Sequence, residues 1–250
     1  MELTWVNELK DRYKSGENVI FLLHGNVNDL FPVKDEKTSK YVFCSLTEYL
    51  QRMLKDKKDL IVDFNLSEGF QLYTSHDSAP WMEKKLVALN AIGPSIYRSF
   101  QEIEKLIRDK SRDVGVLMNY CETILPDQSI NSMSEQDRSS LVKVLQWTRD
   151  PELAGSNNII ILSTEHLTMV HRRFLASSQV ALINISLPPK EVVAHFVTEY
   201  QQTCTGLSFA MGEERFAEMC SGLTLMQVQG ILKRAQQAEV EIDFSLINDR

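Results

Sequence analysis

Five short apolar runs, each bounded by turn-forming residues and spaced by helical patterns, constrain this chain more than any other feature. They are NVIFLLHGN, LIVDF, DVGVLMNY, NIIILST and VALINIS. A continuous apolar run of this length suits a strand buried on both faces, and strands alternating with helices form a parallel sheet with helices on both sides. The helical period is visible at Leu3, Val6, Leu9 and Tyr13. It recurs at Leu46, Tyr49, Leu50, Met53 and Leu54, behind Ser45 with Glu48 three residues on, and again at Leu141, Val144, Leu145 and Trp147. Gly93 and Pro94 in IGPS stop one helix between Trp81 and Asp109, and Ser95 is placed to cap the next. VKDEKTSK reads as a surface loop, NLSEG as the turn closing LIVDF, PDQSINSMSEQDRSS as a polar segment, and LTMVHRRFLAS as a short helical piece. The expected fold is an α/β domain with a five-stranded parallel sheet.

LPP at 187–189 marks a change. Beyond it KEVVAHFVTEYQQTC, GEERFAEMC and TLMQVQGILKRAQQAEV all carry apolar residues three to four apart. The expected organisation is an α/β domain over 1–187 followed by a small helical lid over 188–250.

Composition narrows the function. With 250 residues the chain can bury a sizeable core, and its net charge is −7 with Lys and Arg dispersed along the sequence. No basic run is interleaved with aromatics, so a nucleic-acid footprint is not expected. VIFLL and IIIL are far short of a membrane span, and the amphipathic start MELTWVNELKDRYKSGE has no signal-peptide core, so a cytoplasmic protein is expected. Cys44, Cys121, Cys204 and Cys220 form no CxxC or Cys/His pattern, and neither a disulfide framework nor a metal site is expected.

Parallel sheets bind ligands at the carboxyl ends of their strands, so the residues after each strand are the candidates. A phosphate loop needs glycines that let consecutive N–H groups curl around phosphates, a lysine, and a hydroxyl for Mg²⁺. After the first strand stands HGNVNDLFP, with His24, Gly25 and Asn26, one glycine, and no Lys, Ser or Thr. GxxxxGK[ST] and even GK are absent from the whole chain. GNVND reads rather as a tight strand-to-helix turn whose Asn and Asp side chains cap backbone. The third strand ends in LMNYCE, where Asn119 could hold water but has no charge for a dication, and Glu122 is a candidate base. LSTEHL brings Ser163, Thr164 and Glu165 off the fourth strand, and VHRRFLA supplies Arg172 and Arg173, either surface ion-pair formers or cations for a neighbour's phosphates. HExxH, GxSxG and GxGxxG are all missing.

The order of VGVLMNYCE, the segment from LVKVLQWTRD to LINISLPP, and CSGLTLMQVQGILKRAQ resembles the AAA+ ATPases, a type of the P-loop NTPase fold. These pieces stand where that family has its Walker B strand, sensor-1 strand, arginine-bearing segment and lid helix. More narrowly the chain looks like the degenerate N-terminal module of bacterial two-module AAA+ ATPases, with LLHGNVNDLFP in place of a phosphate loop. The resemblance aligns Asn119 with the Walker B aspartate, Glu122 with its glutamate, Glu165 with the sensor-1 position, and Arg172 or Arg173 with the arginine finger. It leaves His24, Gly25 and Asn26 as remnants of a nucleotide site.

The resemblance implies a module acting in assembly or regulation, without bound cofactor, oligomeric, and partnered by another protein or by its own ATPase module. The ending EVEIDFSLINDR favours the amino-terminal part of a longer polypeptide or a stripped relative. One alternative is an active ATPase using ATP and Mg²⁺ through an unconventional turn, with Glu122 as base. Another is a silent clamp-loader-like subunit, against which the acidic balance counts.

Overall fold

A computed structural model describes residues 3–35, 38, 40–74, 79–91, 95–204 and 207–243. The described chain forms two compact units, one from residues 2–27 and 50–185 and the other from 28–49 and 186–250.

The larger unit holds the sheet. Its strands are β1 (Ile20–Gly25), β4 (Leu60–Asn65), β5 (Gly69–Tyr73), β6 (Val114–Met118), β7 (Ile159–Thr164) and β8 (Val180–Ile185); β2 and β3 belong to the other unit. The spatial order is β5-β4-β6-β7-β1-β8. Five strands run parallel, with Leu22 opposite Leu162 on β7 and Leu182 on β8, and Val116 opposite Val62 on β4 and Ile160 on β7. Every residue of β4, β6 and β7 is buried, as continuous apolar runs require.

The sheet has six strands and not five. β5 pairs antiparallel with β4. Asn65 Oδ1 accepts from the Ser67 and Glu68 N–H groups, at 3.0 and 2.9 Å, and Gly69 takes φ +74, so NLSEG reverses the chain and does not end the pairing. As an edge strand β5 buries only Phe70 and Leu72, and its signal is a weak alternation.

Helices α1 (Thr4–Lys14), α3 (Ala79–Asn90), α4 (Ile96–Ile107), α5 (Cys121–Ile124), α6 (Glu135–Trp147), α7 (Pro151–Ala154) and α8 (Arg172–Leu175) complete this unit, while α2 (Leu46–Leu54) lies between β3 and β4 in the chain. α4 buries Ile96, Phe100, Ile103, Leu106 and Ile107, and Phe100 packs against Trp147 of α6 with ring centroids 5.3 Å apart. Gly93 and Pro94 lie outside the described residues; Ser95 holds the N-cap position of α4 without a side-chain cap bond. α6 starts inside the polar segment, where Ser134 and Asp137 form a reciprocal capping box. LTMVHRRFLAS forms a 3₁₀ turn and the single-turn α8.

The smaller unit joins a hairpin to helices α9 (Lys190–Thr203), α10 (Glu213–Met219) and α11 (Leu225–Ala238). The stretch read as a surface loop lies between, and partly in, the antiparallel strands β2 (Phe31–Lys34) and β3 (Tyr41–Cys44). β3 packs on α9, with Phe43 edge-on to Phe196 at 4.9 Å, and Phe31 of β2 lies 5.9 Å from the Tyr49 ring. Buried Asp29 accepts the Leu225 and Met226 N–H groups at 2.9 and 3.0 Å, adding to the Thr224–Gln227 capping box at the start of α11. Among the described residues no helix is long and apolar enough to cross a membrane.

Candidate functional site

The strand order sets the carboxyl ends of β4, β6, β7, β1 and β8 side by side, and His24, Gly25, Asn26, Asn119 and Glu165 end or follow these strands, while Arg172 and Arg173 lie on α8. Asn119 follows β6, and its amide is held from both sides. Its Nδ2 donates to Asp63 Oδ1 on β4 at 3.4 Å, and its Oδ1 accepts from Ser163 Oγ on β7 at 2.9 Å. Burial first, and Glu68 second, push the Asp63 carboxyl up to about 6, against the opposing Phe64 N–H. Sequence reasoning missed Asp63; the one signal was an aspartate inside the otherwise apolar LIVDF.

Glu122 lies in the first turn of α5, after Tyr120, whose left-handed backbone (φ 57) makes the sharp exit from β6. Thr164 Oγ1 donates to Glu122 Oε2 at 2.7 Å, which fixes the carboxylate beside the end of β7. Asn119, Ser163, Asp63 and the Thr164–Glu122 pair are thus brought into one row across three strands.

The end of β1 is packed by backbone. The Gly25 N–H donates to Glu165 O at 3.3 Å, the Asn26 N–H to Ile185 O at 2.9 Å, and the Val27 N–H to Gly25 O at 2.8 Å. Gly25 has φ +92, and a Cβ there would lie 2.8 Å from both Asn184 Oδ1 and Ile185 O. In the chain β1 leads to the β2–β3 hairpin and not directly to a helix, so no helix N-terminus follows this turn. His24 is half-buried, and burial pushes its imidazole down and favours the neutral form.

Glu165 contributes its carbonyl to that turn, while its carboxylate is exposed, 3.9 Å from His166 Nε2. Arg172 and Arg173 open α8, and the buried His171 caps them by accepting the Arg173 N–H on Nδ1 at 3.1 Å. Burial, joined by Arg172 and Arg173 and opposed by Asp127, pushes the His171 imidazole down. Both guanidiniums are exposed and neither is in an ion pair or hydrogen bond among the described residues. Among the described residues no three His, Cys, Asp or Glu side chains are grouped to hold a metal ion.

Residues 4–186 match the family model of the AAA+ chaperone N-terminal Rossmann-like domain. The chain belongs to this AAA+ family. Its mainly parallel sheet with flanking helices is that domain's architecture, as the N-terminal module of an AAA+ protein. Among solved structures it is similar to a chain of the Escherichia coli MS115-1 HORMA:CdnC:Trip13 complex, with a TM-score of 0.56 and 13% identity over 98% of this chain and 82% of that one. That likeness is one of fold. No curated protein sequence matches the chain significantly.

Proposed function

We propose that this AAA+ domain is a non-hydrolysing module that works in assembly or regulation, alongside an ATPase module carrying an intact phosphate loop. The fate of the N–H groups after β1 supports this reading most. A phosphate loop aims successive N–H groups at its ligand. Those of Gly25, Asn26 and Val27 are all taken by carbonyl oxygens instead. Asn184 and Ile185 stand close against Gly25, where a Cβ would lie 2.8 Å from Asn184 Oδ1 and Ile185 O.

The residues present do not fit a magnesium nucleotide. Asn119 is neutral, and its amide is engaged by Asp63 and Ser163. A carboxylate at Glu165 would repel a γ-phosphate. The row from Asp63 to Glu122 is better suited to holding the ends of three strands together than to handling a dication.

The module is read as cytoplasmic, with a protein as partner and in an oligomer. The similar chain comes from a complex with other proteins, which supports a protein partner here. Arg172 and Arg173 stand exposed for contact with a neighbouring subunit.

Equilibrium titration of labelled ATP and ADP with Mg²⁺ against the whole chain tests this reading. No saturable binding is expected, and micromolar affinity overturns it. One observation favours a second reading, an active ATPase: Thr164 holds Glu122 as a general base would be held. That reading requires turnover that disappears in Glu122→Gln.

A further inference from the structure

Four of the lysines dispersed along this acidic sequence meet at one place in the larger unit. α1 presents Lys10 and Lys14, and the turn after α2 presents Lys57 and Lys58, around a cavity of about 330 Å³ that also exposes Tyr13. Leu9, Leu54 and Ile159 line its apolar side. The volume lies at the small end of the range for small-molecule pockets.

Lys58 is the least ordinary member. It is only 6% exposed, and its ammonium donates to Tyr13 Oη at 2.7 Å and to the Asn157 carbonyl. It also stands 4.8 Å from the centroid of the Tyr13 ring. Gly115 on β6 gives its stem room, since a Cβ there would lie 3.5 Å from Lys58 Cγ and 3.1 Å from Leu54 Cδ1. Two of its three N–H donors are used, and no carboxylate lies within ion-pair distance among the described residues. A buried cation without a close counter-ion is costly to keep.

The surroundings add positive charge. Burial first, and then Lys10, Lys14 and Lys58, push the Lys57 ammonium down, with Asp56 opposing. Burial likewise pushes Lys58 down, against Asp113 and Asp59. Asp113 is the one carboxylate lining the cavity, and its Oδ2 accepts from Asn157 Nδ2 at 3.3 Å.

We propose that this cavity, on α1, α2 and the adjoining ends of the sheet, binds a small organic phosphate. The ammonium groups of Lys10, Lys57 and Lys58 take the phosphate, and the Tyr13 ring and the apolar wall take the organic part. Four cations against one carboxylate select the anion, and the wall selects a body that inorganic phosphate lacks. This site uses none of the residues from Asp63 to Glu122 and is independent of whether the other edge of the sheet binds nucleotide.

Calorimetric titration of the whole chain with phenyl phosphate, inorganic phosphate and phenol tests it. Phenyl phosphate is expected to bind most tightly. The double variant Lys10→Gln/Lys57→Gln, at one half-buried and one exposed lysine, should weaken it about tenfold or more, the scale of losing hydrogen bonds from charged groups. Lys105→Gln, on a different helix, should leave binding unchanged. An unaltered melting temperature in both variants separates loss of the site from loss of the fold. Sedimentation with phosphatidic acid vesicles distinguishes the source of the phosphate: co-sedimentation lost in the double variant assigns a lipid headgroup, and phenyl phosphate binding without co-sedimentation assigns a soluble ligand. Absence of phenyl phosphate binding at millimolar concentration, or equal binding by the double variant, overturns the proposal.

Discussion

Asn119 donates from Nδ2 to the Asp63 carboxylate at 3.4 Å, so the residue after β6 is matched to the charge of its neighbour on β4. An aspartate in its place would set two carboxylates against each other in a buried setting. Asn119→Asp is therefore expected to lower unfolding stability by about 1–3 kcal/mol at pH 7. Urea titrations at pH 7 and at pH 4 check this, with the penalty shrinking at the lower pH, where the pair can hold protons.

Asp63 itself makes stability depend on pH. Its folded-state pKa is raised from 3.8 to about 6, so between these values the folded chain holds a proton that the unfolded chain has released. Its contribution favours the folded state fully below pH 3.8 and is lost as pH rises through 6. Comparing Asp63→Asn with the unsubstituted chain across this window isolates the effect, expected to be about 3 kcal/mol. The amide variant should gain stability relative to the parent as pH rises.

Gly25 meets both a conformational and a steric limit. With φ +92 and a prospective Cβ 2.8 Å from Asn184 Oδ1 and Ile185 O, Gly25→Ala must shift the end of β1 away from β8. Thermal denaturation should show a loss of about 2–4 kcal/mol.

Asp29, within the smaller unit, holds the start of α11. Asp29→Ala leaves the Leu225 and Met226 N–H groups without their carboxylate acceptor, a loss of about 1–3 kcal/mol to the smaller unit. Faster hydrogen exchange at those two amides is the expected signature, and unchanged exchange contradicts it.

How much of this was legible in the sequence depended on how local each signal was. β1, β4, β6, β7 and β8 stand out because strands buried on both faces are continuous apolar runs. β5 was hidden because Asn65 to Gly69 reads as a terminator and only Phe70 and Leu72 mark the alternation beyond it. The β2–β3 hairpin was hidden by the polar residues between its strands, and the partner of Phe43 is Phe196 of α9, far along the chain. The first turns of α6 could have been found from Ser134 and Asp137, a capping pair placed before the apolar period begins.

At the candidate site Asn119, Glu122, Ser163 and Thr164 were legible as strand-end residues, but their pairing was not. The bond from Asn119 to Asp63 joins residues 56 apart, and only strand order makes them neighbours. The turn GNVND was correctly open to a capping role, which Asp29 performs, yet nothing local identifies α11 as the helix it caps. The lysine cavity is further removed from the sequence, since Lys10 and Lys57 meet only through the packing of α1 and the segment after α2.

The three N–H groups that follow β1 decide whether this turn can take phosphate. Amide NMR spectra of the whole chain, recorded while ATP and Mg²⁺ are added, report on each of them. The Gly25, Asn26 and Val27 resonances are predicted to remain unshifted, because their N–H groups already donate to Glu165, Ile185 and Gly25 carbonyls. Saturable shifts at these three amides would contradict the account and show that the turn opens to take phosphate.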